Sequence, residues 1–155
     1  MDKRTAGDIA GTMGSAQSAP MRHAMPPETL GASKGQVLVV EDEPGLADVL
    51  AVHLQASGYE PVIASDGLEA LYALDRATPR AVLLDLHLPQ VSGFRLMQLL
   101  KQRPDAPRVP VIVITALSFQ EAEEAIRAGA DDFITKPFLP AEVVTRVDRV
   151  LERAG

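Results

Sequence analysis

Four apolar runs end in residues that can do chemistry. Val37-Leu38-Val39-Val40 runs into Glu41-Asp42-Glu43, Ala81-Val82-Leu83-Leu84 into Asp85, Val111-Ile112-Val113-Ile114 into Thr115, and Phe133-Ile134-Thr135 into Lys136. Adjacent carboxylates repel one another. The acidic turn is therefore either a solvated loop or a place that expects a cation. Asp85 either caps the next helix or faces a ligand, and the nearest helix start, near Ser92-Gly93, comes several residues later. One polar strand end is routine. Carboxylates, a hydroxyl and an ammonium at four strand ends are hard to explain as caps.

These residues share one edge only if the runs are parallel strands. Short apolar runs bounded by turn signals read as strands buried on both faces. Pro89 closes the Asp85 run because it has no N–H to give a ladder. Between the runs lie helical patterns. Leu46, Val49, Leu50 and Leu54 recur at helical spacing from Pro44 until Gly58. Residues 59–64 form a weaker strand, and Pro61 marks it as an edge. Ser65 or Asp66 caps a helix with Leu68, Leu71, Tyr72 and Leu74 on one face. A third helix carries Phe94, Met97 and Leu100 and ends at Arg103-Pro104. Ser118 opens a fourth, with Phe119, Ala122 and Ile126 inward and Glu121, Glu123 and Glu124 outward, and Gly129 ends it. The last buries Val143, Val144, Val147, Val150 and Leu151. This βαβαβαβαβα order predicts an α/β fold, a parallel sheet with helices on both faces. Ligands of such sheets bind at the C-terminal strand ends.

Composition sets the outer limits. A net charge of −6 argues against a general nucleic-acid binder. There are no cysteines, hence no disulfide frame and no thiolate chemistry. No apolar run approaches a membrane span, and the chain does not open on a basic-then-apolar signal segment. Residues 1–35 differ from the rest: 20 of them are Gly, Pro, Ser, Ala or Thr, and none is aromatic. Such a stretch cannot bury enough surface to offset its ordering entropy. The expected organisation is a disordered N-terminal arm, 1–35, and a folded domain, 36–155.

Taken together, the motifs resemble the receiver domain of two-component response regulators. Val39-Val40-Glu41-Asp42-Glu43-Pro44 matches the acidic end of that family's first strand. Asp85 through Gly93 matches its phosphoacceptor signature, with a Pro four residues on and a Gly eight residues on. Thr115-Ala116 and Lys136-Pro137-Phe138 match the remainder. The resemblance covers residues 36–153. It implies a flavodoxin-like five-stranded sheet in the order 2-1-3-4-5. It makes Asp85 the acceptor of a phosphoryl group from a histidine kinase or phosphotransfer protein. It implies Mg²⁺, or Mn²⁺, held by Asp42, Asp85 and the backbone carbonyl of His87, with Glu41 acting through water. Lys136 would pair with phosphoryl oxygens, followed by a cis Pro137. Thr115 and Phe133 would form the switch pair, the hydroxyl bonding the phosphoryl group and the ring turning inward.

Finer features also follow from the resemblance. The His87 side chain could serve as a metal ligand or a relay histidine, but the expected arrangement has it guarding the pocket mouth with only its carbonyl on the metal. Leu117 cannot orient an attacking water, which implies a long-lived phosphoryl state. Asp131, Asp132, Glu142, Arg146 and Arg153 resemble the charged dimer face of transcription-factor-type receivers, although Ala122 stands where that pattern expects a basic residue. Outside the motifs, His53 reads as a partly buried helix residue, and His23 lies in the arm. The expected role is a stand-alone cytoplasmic signalling domain with a chemotaxis-regulator-like fold rather than an enzyme, with an unidentified downstream protein partner and no direct nucleic-acid or membrane contact. Three alternatives stand beside it. One is a fragment of a larger regulator or hybrid kinase. Another is a phosphohydrolase using Asp85, whose usual pattern puts the nucleophile after strand one and a second acid two residues on. Here Asp85 follows strand three and His87 holds that second position. The third is a degenerate adaptor, whose sign would be a missing Asp, Thr or Lys, and none is missing.

Overall fold

The structure is a computed structural model that describes residues 32–103, 108–116 and 118–154. Strand β1 spans Gln36–Val40, β2 Glu60–Ala64, β3 Ala81–Asp85, β4 Val111–Thr115 and β5 Asp132–Thr135. They pair in parallel in the order β2-β1-β3-β4-β5, as the resemblance implied. Five helices alternate with them: α1 Pro44–Ala56, α2 Gly67–Arg76, α3 Gly93–Lys101, α4 Phe119–Arg127 and α5 Pro140–Ala154. Pro61 does fall on an edge strand, where its missing N–H breaks no ladder.

Side chains alternate across the sheet with a period of two, so each strand feeds two cores. Leu38, Val40, Val82, Leu84, Val111 and Val113 face α2, α3 and α4 through Ala70, Leu74, Leu96, Met97, Leu100 and Ala125. Val37, Val39, Leu83, Ile112, Ile114 and Ile134 face α1 and α5 through Leu50, Leu54, Val143, Val147, Val150 and Leu151. β3 and β4 are buried along their full length, which accounts for their unbroken apolar runs. Helix starts follow local chemistry. Asp66, Ser92 and Ser118 each accept a hydrogen bond from the backbone N–H three residues on. Gly58 and Gly129 adopt positive φ just after α1 and α4.

Several helix faces differ from the sequence reading. In α1, Ala47 is buried with Leu50 and Leu54, while Val49 is exposed. In α2, Gly67, Ala70 and Leu74 meet the core, and Leu68 and Tyr72 point to solvent. In α4, Ala122 and Ala125 form the buried stripe, and Phe119 and Ile126 are exposed. Alanine and glycine weigh little in a hydrophobic pattern, yet they share the contact line with Leu50, Leu54 and Leu74, and the more conspicuous apolar residues beside that line flank it. At about 100° per residue, Phe119 and Ile126 lie roughly 70–90° from the centre of the α4 stripe. His53 is also exposed rather than partly buried, with Nδ1 3.0 Å from the Val49 carbonyl oxygen. Among the described residues, no helix is long and apolar enough to cross a membrane.

At the start of the domain, the Lys34 N–H donates to the Gly58 carbonyl and the Gly35 carbonyl accepts from the Glu60 N–H. These two residues, assigned to the arm by composition, therefore bond to the sheet edge. Residues 1–31, including His23, lie outside the described residues, as does Leu117.

Candidate functional site

The sheet brings Glu41, Asp85, Thr115 and Lys136 to its C-terminal edge. Glu41 directly follows β1, its N–H donating to the Ala64 carbonyl at 3.0 Å, and its side chain is only 2% exposed. Asp85 ends β3 and is buried. Its Oδ1 accepts the His87 N–H at 2.9 Å, and its Oδ2 accepts from Lys136 Nζ at 3.1 Å. Lys136 follows β5 and is tied to β4 by its N–H, which donates to the Thr115 carbonyl at 2.9 Å. The Lys136–Pro137 bond is cis. The same ammonium lies 3.3 Å from Glu41 Oε1 and 3.5 Å from Glu43 Oε1.

Gly93 fixes the other side of the Asp85 loop. Its N–H donates to the Leu86 carbonyl at 3.1 Å. A Cβ here would lie 2.5 Å from Leu86 Cα and 2.6 Å from the Asp85 carbonyl oxygen. Only glycine fits, so α3 starts directly against the end of β3. Gln90, in the same loop, holds a positive φ of 68°. This left-handed position is uncommon for a non-glycine residue.

Negative charge outweighs positive charge at the site. Ligand oxygens of Glu41, Asp42 and Asp85 all lie within 4.8 Å of one another. Burial, followed by the charge of Asp85, pushes the Glu41 carboxyl up to about 7, against the pull of the Glu43 N–H and Lys136. Burial alone would lower the Lys136 ammonium. The hydrogen bond to Asp85 and the charges of Asp85 and Glu41 outweigh it and hold the group above its ordinary value. A single ammonium does not neutralise this set. Hard oxygen donors at such spacing suit a divalent cation such as Mg²⁺, so these residues fit the metal implied by the resemblance.

Thr115 closes the constellation. Its hydroxyl is fully buried and finds no hydrogen-bond partner among the described residues. An unpaired buried hydroxyl costs about 1–3 kcal/mol. Thr115→Val keeps the branched shape and removes that cost. The resting domain of this variant is expected to melt at the same temperature or a few degrees higher. Its α4–β5 region should no longer respond to beryllofluoride, as read by NMR chemical shifts.

The remaining predicted residues are more dispersed. Phe133 is half-buried and lines a groove of about 350 Å³ with Phe119, Ala122, Glu123, Ile126 and Arg127. The His87 ring is 62% exposed and lies 3.9 Å from Glu121 across the edge of the site. The charged face is paired within the chain. Arg146 donates to Asp132 Oδ1 at 2.8 Å and reaches Glu142 at 3.5 Å. Asp131 accepts from Lys101 at 3.3 Å and from the Val111 N–H at 2.8 Å. Arg153 is exposed at the end of α5. Sequence reasoning gave no separate role to Glu43, although the run of three carboxylates contained the signal.

Comparison with known proteins agrees with this geometry. The family model described as the response regulator receiver domain matches residues 37–148. The sensory transduction protein RegX3 of Mycobacterium bovis is 42% identical over 120 residues, covering 77% of this chain and 52% of that protein. The phosphate regulon transcriptional regulatory protein PhoB of Klebsiella pneumoniae is 38% identical over 119 residues, covering 76% and 52%. The chain thus spans about half the length of the curated relatives it matches. The receiver domain of Francisella response regulator 1452 superimposes with a TM-score of 0.73 at 28% identity, over 79% of this chain and all of that one. The receiver domain of a Pseudomonas aeruginosa sensor histidine kinase gives 0.69 at 30% identity, over 76% and 98%. That structure is described with a magnesium ion in its active-site cleft.

Proposed function

Because the chain belongs to the response regulator receiver domain family of two-component systems, we propose that Asp85 accepts a phosphoryl group from a histidine kinase or phosphotransfer protein. The observation that carries this reading is the Lys136 ammonium 3.1 Å from Asp85 Oδ2, beside the Glu41–Asp42–Asp85 group. Phosphoryl transfer asks for positioning and charge neutralisation more than covalent help. Asp85 attacks phosphorus, the acyl O–P bond forms, and the bond to the donor breaks with its electron pair leaving on the donor. The His87 N–H on Oδ1 orients the carboxylate. Lys136 turns from Oδ2 to a phosphoryl oxygen. Mg²⁺ or Mn²⁺, held by Asp42, Asp85 and the His87 carbonyl with Glu41 through water, supplies charge neutralisation when bound.

The unpaired Thr115 hydroxyl then donates to another phosphoryl oxygen. The loop that follows β4 moves inward, and Phe133 turns into the space beside α4. The phosphoryl group thus shifts a two-state equilibrium through contacts that only one state can make. The output is a protein surface, read by a cytoplasmic partner. Pairing of two copies through Asp131, Asp132, Glu142, Arg146 and Arg153 would exchange the present intrachain pairs for intermolecular ones. Exchanging one ion pair for another gains little net energy, so such a dimer would be weak before phosphorylation.

Metal removal tests the reading. With acetyl phosphate and Mg²⁺, intact-mass spectrometry is expected to show one added phosphoryl group per chain. With EDTA the labelling rate should fall by at least about 100-fold, the scale of a lost charge-stabilising group. Equal labelling in the two conditions would show that no divalent metal takes part in the transfer.

A further inference from the structure

The acidic turn after β1 supplies one carboxylate more than the group that converges for a cation. Glu41, Asp42 and Asp85 make up that group. Glu43 stands outside it, 67% exposed, with Oε1 3.5 Å from Lys136 Nζ. Glu43 is also the residue before α1, yet its side chain makes no capping hydrogen bond there. Its carboxylate therefore has a contact at the site and no capping hydrogen bond that ties it to the helix end.

On the reading that Asp85 is the phosphoacceptor, we propose that Glu43 is a positioning residue that holds the Lys136 ammonium at the mouth of the site and draws it off the nucleophile. Both oxygens of Asp85 are engaged at rest, Oδ1 by the His87 N–H and Oδ2 by Lys136. An ammonium has three N–H donors, and here it faces three carboxylates, at 3.1, 3.3 and 3.5 Å. Attack on phosphorus through Oδ2 requires the N–H on that oxygen to swing to the incoming phosphoryl group. Glu41 cannot follow the swing, because it is buried and its Oε2 accepts the Glu43 N–H at 3.2 Å. Glu43 is exposed and unconstrained by a cap, so its carboxylate can travel with the ammonium. Without that charge, Lys136 settles on its two buried partners and masks the nucleophile.

The full chain carrying Glu43→Gln or Glu43→Asp is compared with the unmodified protein in saturating Mg²⁺, with acetyl phosphate as donor and Asp85→Asn as blank. In Glu43→Gln the labelling rate at saturating donor is expected to fall about threefold, the scale of one partly exposed ion pair. The half-saturating donor concentration should stay the same or decrease, since a negative charge has left the mouth. Glu43→Asp should retain most of the rate, and the melting temperature of both variants should be unchanged. A purely structural residue would move the melting temperature and would not separate Gln from Asp. A Gln variant that labels at the unmodified rate overturns the role of Glu43 and leaves Asp85 as acceptor. An unmodified protein that takes no label overturns both.

Discussion

Gly93→Ala is expected to destabilise the domain by about 2–3 kcal/mol, the upper part of the range for overpacking a close-packed site, and to slow phosphoryl uptake with it. Gly93 is the first residue of α3. At an unhindered helix position, glycine to alanine raises stability by about 0.4–1 kcal/mol. The sign is reversed here because the new Cβ would sit 2.5 Å from Leu86 Cα and 2.6 Å from the Asp85 carbonyl oxygen. Both are backbone atoms at the end of a buried strand, so no side chain can turn aside to make room. Either α3 moves away from the sheet or the end of β3 moves, and the second displaces Asp85. Thermal unfolding should show a fall in Tm on the order of 10 °C. A Tm equal to or above that of the unmodified protein would show that α3 can shift freely and that Gly93 does not fix the Asp85 loop.

Asp85→Asn is expected to have the largest effect on activity and a small one on stability. The amide has nearly the shape of the carboxylate but lacks the charge that makes it a nucleophile. Labelling by acetyl phosphate should fall by at least about 1,000-fold. The fold should survive for local reasons. The Asn carbonyl oxygen can still accept the His87 N–H, and Lys136 retains Glu41 and Glu43 within 3.5 Å. Removing one charge also relieves the repulsion that helps push Glu41 up to about 7. Tm is therefore expected within a few degrees of the unmodified value. A large loss of Tm would mean that Asp85 chiefly balances Lys136 in the folded chain.

The strands were legible because their signals are local, whereas their order in the sheet came from the family resemblance. β3 and β4 are unbroken apolar runs, Pro61 marks an edge, and Ser92, Ser118 and Gly129 delimit helices by their own chemistry. The strand ends were legible for the same reason: Glu41, Asp85, Thr115 and Lys136 each follow an apolar run, and parallel pairing places them together. The helix faces were less so. Val49, Leu68, Tyr72, Phe119 and Ile126 are large and apolar, yet the contact lines belong to Ala47, Ala70, Ala122 and Ala125. These small residues recur at helical spacing with Leu50, Leu54 and Leu74, but they weigh little in a hydrophobic pattern, which is drawn instead through their larger neighbours. The state of each polar group was also out of reach. Burial of Glu41, the unpaired hydroxyl of Thr115 and the third carboxylate on Lys136 arise from residues far apart in the chain.

The phosphoryl group is expected to reside on Asp85, and chemical location of the label decides the point. The protein is treated with acetyl phosphate and Mg²⁺, the acyl phosphate is reduced with borohydride, and the reduced residue is mapped by peptide mass spectrometry. A single reduced residue is expected, Asp85, and it should be absent when EDTA replaces Mg²⁺. Reduction at Glu41 or Asp42 instead, or no reduced residue at all after treatment, would contradict this assignment.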